Sequence, residues 1–205
     1  MNLDEAIANR RSVRSFSARP VNQEDLWAVL EAARKAPSAT NRQPWRLIPV
    51  SDSETKEVMS RSITQNFVTQ APVVIVCGLD RKAFTREMVA PRIEELVEVG
   101  VIQREVADLL YVRKMPEKWQ EAAIPPSAYL EMGAAIEHMA LKAASMGLGT
   151  CWIRMFEGEK LHKSLELPEE IEITALLPLG YPQTLPPARP RLPMESIIVD
   201  NNWRE

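Results

Sequence analysis

The stretch SAYLEMGAAIEHMALKAASMGLGTCWI, residues 127–153, decides the fold class. Residues 127–146 read as one long helix, in which Leu130, Ala134, Ile136, Met139, Ala140 and Ala143 form a broad apolar side whose small residues permit close packing. Gly147 and Gly149 end it, and residues 150–153 switch to a strand pattern. A strand at 171–179 follows a short helix at 159–165. On the N-terminal side, Asn2 caps a helix running to Asn9, with Asp4 and Glu5 in its first turn, and Asn22 opens a second helix with Asp25 at the capping-box spacing. Leu26, Val29, Leu30 and Ala33 give that second helix one apolar face, and Pro37 closes it. A strand at 46–50, a helix at 54–66 and a buried, β-branched strand at 73–78 come next. Helices and strands are mixed without strict alternation and no Gly-x-Gly-x-x-Gly occurs, so the pattern predicts an α+β sandwich, not a doubly wound dinucleotide fold.

The remaining segments read less sharply. Residues 83–113 are helical in pattern with an interruption expected at Pro91, and Pro116 and Pro125-Pro126 leave at most a short helix at 117–123. The Pro-rich residues 182–193 form an extended connector, and 196–199 are expected to be a last strand.

A length of 205 residues with 45% hydrophobic and 26% charged residues suits one domain with a sizeable core. The N-terminus lacks the apolar run of a signal peptide, and no segment approaches the ~18 apolar residues of a membrane span, so a cytoplasmic location with no membrane partner is expected. Cys77 and Cys151 lie singly in apolar strand contexts and read as buried free thiols. His138 and His162 are the only histidines, too few for a zinc site or a histidine triad, so no metal and no catalytic side chain is assigned and the chemistry is expected of a bound cofactor. With 25 basic against 28 acidic residues, the arginine clusters at the two ends point to a local site for a small phosphorylated anion and not to a nucleic-acid face.

Four segments carry the sharper signal: Arg10-Arg11-Ser12-Val13-Arg14, Pro37-Ser38-Ala39-Thr40-Asn41-Arg42-Gln43-Pro44-Trp45, Gly147-Leu148-Gly149-Thr150 and Arg189-Pro190-Arg191. Together they resemble the nitroreductase family of FMN-dependent oxidoreductases. The resemblance implies an α-β-α sandwich with a central mixed sheet flanked by helices, one domain over 1–205, and a variable helical insertion around 81–126. It implies a homodimer with FMN at the subunit interface and a C-terminal tail reaching the partner, Trp203 serving as an anchor; read alone, that end is a terminus with one tryptophan.

By the same resemblance Arg10, Arg189 and Arg191 match phosphate-binding positions, Arg11 flanks them, Ser12 contacts the phosphate or ribityl chain, and Arg14 faces the pyrimidine edge. Arginine forks suit phosphate because each donates two parallel charge-assisted bonds. Pro37, Ser38 and Ala39 approach the flavin from the partner chain, and Asn41 and Gln43 bond ring or ribityl atoms, since an amide offers both donor and acceptor. Trp45 reads as core. Gly149 and Thr150 belong to the turn before the loop passing the N5 side of the ring. Arg154 and Met155 depart from the family pattern, which favours small residues there, so they bear on the pocket for the acceptor. Tyr111 and Trp119, in the unmatched insertion, line that pocket or fill a helical subdomain.

The activity implied is ping-pong transfer of hydride from NADH or NADPH through flavin N5 to a flat acceptor such as a nitroaromatic or quinone. Other readings stay open: a specialised relative that fragments its flavin, dehalogenates or dehydrogenates; a non-catalytic FMN carrier or sensor; or a phosphoanion-binding protein without flavin. The last needs only the arginines and leaves Asn41 and Gln43 unexplained.

Overall fold

A computed structural model describes residues 1–110 and 115–199, the side chain of Leu110 excepted. Tyr111 and Trp203 lie outside the described residues. The elements run α1 (Leu3–Asn9), α2 (Gln23–Arg34), β1 (Trp45–Val50), α3 (Ser53–Ser60), α4 (Phe67–Gln70), β2 (Val73–Asp80), α5 (Arg86–Glu98), α6 (Arg104–Leu110), α7 (Pro126–Ser145), β3 (Gly149–Thr150), α8 (Gly158–Ser164) and β4 (Ile171–Gly180).

The four strands form one sheet in the order β1-β2-β4-β3, and every strand pair is antiparallel. A parallel bridge between Ser12 and Thr150 adds the N-terminal segment at the β3 edge, so both pairing senses occur. All eight residues of β2 are buried, which its β-branched run requires, because it has helices on both faces. Val73, Ile75, Cys77 and Leu79 pack with Val29 and Ala33 of α2 and Met132, Ile136 and Met139 of α7. Val74 and Val76 turn the other way, to Met59 of α3, Val68 of α4, Leu161 of α8, Cys151 and Ile153. The layers are therefore helix, sheet, helix, the α+β sandwich expected. Burial pushes the Cys77 thiol up to about 12, as befits a packing residue.

Local signals placed most boundaries. Asn2 and Glu5 form a complete capping box at α1, and the Asn22 side chain accepts from the Asp25 amide at α2. The α7 helix ends in a Schellman arrangement: Gly147 takes φ +76°, with Leu148 N–H bonded to Ala143 and Gly147 N–H to Ala144.

Four expectations are corrected. The helix expected over 54–66 stops at Ser60, because Ser62 and Ile63 are drawn into the sheet's second face, where Ile63 bridges Phe156. Pro91 does not break its helix; it lies on the exposed side of α5, so the carbonyl it leaves unbonded faces water, and the break comes at Gly100, φ +73°. The strand expected at 150–153 shortens to Gly149–Thr150 plus an isolated bridge from Ile153 to Leu176. Residues 196–199 are not a strand: a short 3-10 turn covers Met194–Ser196, and the apolar residues after it are exposed and pair with none of the described strands. The segment around 117–123 reduces to a 3-10 turn at Trp119–Glu121.

Candidate functional site

The end of β4 brings the two arginine clusters together. Beyond β4 the chain zips onto the N-terminal segment: Ser17 N–H bonds the Tyr181 carbonyl at 2.8 Å, Gln183 N–H bonds the Ser15 carbonyl at 3.0 Å, and Ser15 Oγ donates to Gln183 Oε1 at 2.7 Å. On its other edge the same segment bonds β3, Val13 N–H to Thr150 O at 2.9 Å. That close approach requires Gly149, since a Cβ there would meet Val13 Cγ2 at 2.5 Å and Pro182 Cγ at 3.1 Å. Residues 186–189 and Arg191 then line one cavity with Ile7 and Ala8 of α1.

The result is a cavity of about 600 Å³ lined by Arg10, Arg11, Ser12, Arg14, Arg189 and Arg191, with Ile7 and Pro186–Ala188 completing the wall. A second hollow of about 310 Å³ shares Arg10 and Arg11 and is lined by Gly149, Thr150 and the C-terminal end of α7. Eight of the thirteen predicted positions thus line these two hollows, which share Arg10 and Arg11, with Gly149 and Thr150 in the second.

The charge in the cavity is one-sided. Of its five guanidinium groups only Arg10 has an ion-pair partner among the described residues, Glu137 of α7 at 3.2 Å. Arg11 donates to the Ala8 and Arg10 carbonyls, and its Nε is buried without a partner among the described residues. Arg14 donates to the Ser12 carbonyl at 3.2 Å. Such a donor set, in excess over acceptors and partly unsatisfied, suits a dianionic phosphate. Cys151 lies beside it: burial raises its thiol pKa, against the field of Arg14, a hydrogen bond with Ser12 and the field of Arg10.

Pro37, Ser38, Ala39, Asn41 and Gln43 do not line this cavity. Their loop, between α2 and β1, is tied to the N-terminal half of α7 by the Ala39 N–H to Glu131 Oε1 bond, 3.1 Å. Thr40, Asn41 and Gln43 all have φ near +50°. Ser38 Oγ accepts from Gln43 N–H, and Gln43 Nε2 donates to the carbonyl and side chain of Asn41, so the two amides hold each other. Trp45 is core, as read from the sequence.

Sequence reading missed Glu137. Its only signal is its place on a helix otherwise rich in Ala, and a lone Glu there reads as a solvated face. His138 Nδ1 meets the Ala32 carbonyl at 3.3 Å and His162 Nε2 the Pro168 carbonyl at 3.0 Å, both remote from the arginines' lining set. Among the described residues no group of three metal-ligating side chains occurs, and no helix is long and apolar enough to cross a membrane.

Layers and site define an α+β protein with an arginine-lined cavity. Comparison with known proteins sharpens that class: residues 7–181 match the nitroreductase family, and the chain belongs to it. A Thermus thermophilus protein named NADH dehydrogenase is 33% identical over 97% of this chain and 94% of its own length. A Bacillus subtilis FMN reductase [NAD(P)H] is 30% identical over 94% of this chain and 70% of its own length. The fold is shared with an Exiguobacterium sibiricum protein of nitroreductase type in complex with FMN, TM-score 0.77, 23% identity, 98% of each chain covered.

Proposed function

We propose that this chain is an FMN-dependent oxidoreductase that takes electrons from NADH or NADPH and delivers them to a flat aromatic acceptor such as a nitroaromatic or quinone. The observation carrying this reading is the convergence of Arg10, Arg11, Arg14, Arg189 and Arg191 on one cavity with a single carboxylate partner among the described residues. Family membership and the FMN reductase among its relatives supply the identity of the anion.

FMN, when bound, supplies the hydride chemistry through N5. The chain's residues bind and tune. Arg10, Arg189 and Arg191 hold the phosphate, with Arg11 flanking and Ser12 contributing its hydroxyl. Arg14 stabilises negative charge at the pyrimidine edge and so raises the ease of reduction. Gly149 and Thr150 let the backbone approach without side-chain obstruction. No side chain is needed as acid or base.

The reading requires a homodimer. Within one chain the loop at 37–43 stays apart from the arginine cavity, so Pro37, Ser38 and Ala39 act on the cofactor of a second copy, with Asn41 and Gln43 presenting amides to it. The exposed Leu192, Met194, Ile197, Ile198 and Val199 are the apolar tail that covers the partner. The chain is a single unit with its insertion at 81–126, working in the cytoplasm.

The deciding experiment is an absorbance spectrum of the purified protein before and after anaerobic NADH or NADPH. Flavin bands that bleach are expected. Bands that persist identify a flavin carrier, and no flavin after incubation with FMN overturns the reading. In Arg14→Ala a lower flavin potential and slower reduction are expected; unchanged reduction removes Arg14 from its role.

A further inference from the structure

One face of α7 runs past the arginine cavity and ends among residues that no motif marks. Glu137, Gly133 and Tyr129 are spaced four apart, which stacks them on that face over about 12 Å. Glu137 holds Arg10 at one end. In the middle the indole of Trp152 packs over Gly133, where a Cβ would meet Cη2 at 3.7 Å. At the far end the Tyr129 hydroxyl donates to Glu172, which also receives Arg81 at 3.3 Å.

Trp152 and Arg154 project together. Cys151 and Ile153 are buried in the sheet's second face, and Ile153 is pinned to Leu176 by two backbone bonds of 2.9 Å. Strand alternation then turns Trp152 and Arg154 outward, and both are exposed. The positive charge of Arg154 reaches Tyr129, where it opposes the rise in the phenol's pKa caused by Glu172 and burial. Glu172 is already engaged by Arg81 and Tyr129, so the neighbouring carboxylate is not free to pair with Arg154. Arg154 has no ion pair and no side-chain hydrogen bond among the described residues. Tyr129 and Trp152 are 41% and 39% exposed, large aromatic surfaces left beside that cation.

We propose that the corner formed by Trp152, Tyr129 and Arg154 receives the electron acceptor, and that Arg154 selects planar aromatic acceptors bearing a carboxylate. This rests on the flavin reading above. The aromatic side chains take the acceptor's ring, and the guanidinium fork takes its acid group in a bidentate pair. A small residue at position 154 would offer the acid nothing, and a neutral acceptor gains only the ring contact.

The test compares 4-nitrobenzoate with 4-nitrobenzamide as acceptors, and benzoate with benzamide as ligands titrated calorimetrically into the full-length holoprotein. In Arg154→Gln the acid-to-amide ratio of kcat/KM is expected to fall about ten-fold, the benzoate-to-benzamide affinity ratio to fall with it, and Arg154→Lys to retain part of both. The lysine variant also keeps the test usable should the glutamine variant misfold. Unchanged ratios overturn the proposal. So does a shift confined to the NADPH-to-NADH ratio, which would place Arg154 on the donor. Benzoate binding is read without turnover, so a protein that binds benzoate through Arg154 but is not reduced by NAD(P)H refutes the oxidoreductase reading alone.

Discussion

The arginine cavity and the loop at 38–43 are built in opposite ways. Around the cavity no residue takes a positive φ, and the side chains carry the unrelieved term, like charges held together with one carboxylate among the described residues to offset them. In the loop the side chains satisfy one another and the backbone carries the strain, with Thr40, Asn41 and Gln43 all left-handed. Each such residue costs on the order of 1–2 kcal/mol, and a β-branched threonine is the worst placed of the three. A bound anion would relieve the cavity's term. The loop's strain is held by Ser38, Glu131 and Arg42, which bonds the Ala39 carbonyl and lies over the Phe84 ring, and a conformation so over-determined is what a precise contact with another surface needs.

The largest effect should come from stripping the cavity of its cations. Arg10→Ala combined with Arg189→Ala is expected to weaken FMN about a hundred-fold while leaving riboflavin, which lacks the phosphate, nearly unaffected, as read by fluorescence titration. Equal losses for both ligands would mean that the arginines do not hold a phosphate. Next in size is Gly149→Ala, whose methyl collides with Val13 and Pro182 on both sides of the cavity floor. A loss of about 2 kcal/mol and a Tm lower by roughly 5 °C are expected, and an unchanged Tm would show that the N-terminal segment moves aside freely.

Glu137 sharpens the comparison further, because among the described residues it is the one acidic group paired with a cavity arginine. The pair is partly exposed, with the Glu137 side chain 41% accessible, so Glu137→Gln is expected to change FMN affinity no more than about five-fold, again without change for riboflavin. A tightening instead of a weakening would mean that the carboxylate competes with the phosphate and does not position the arginine. The smallest effect belongs to the loop: Thr40→Asn, which tolerates the left-handed region, should stabilise the FMN-free protein by about 0.5–1 kcal/mol in denaturant titration. No gain there would mean that the strain is already absorbed by the bonds across the loop.

How much was legible depended on whether a signal was local. Asn2, Asn22, Gly147 and the continuous β-branched run in β2 mark structure through neighbours one to five residues away, and their elements lie where expected. The end of α3 at Ser60, the passage of α5 through Pro91 and the absence of a strand at 196–199 depended on partners distant in sequence or on the exposure of one helix side. At the site, motif residues were legible and their supports were not. Arg10 stands in a recognisable cluster, whereas Glu137 is a single acid 127 positions further on, and only packing of α1 against α7 reveals it.

By itself, the sequence determined most of the element types, the α+β class, the two arginine clusters and the resemblance that links them, because caps, periodicity and charge are properties of short stretches. Only the tertiary structure decided that residues 10–14 and 189–191 share one cavity, that the loop at 38–43 stands apart from it within a chain, and that Trp152 and Arg154 turn out beside Tyr129. Those facts follow from the pairing of the segment after β4 with residues 15–17 and from the burial of Cys151 and Ile153, which are long-range contacts that no local pattern encodes.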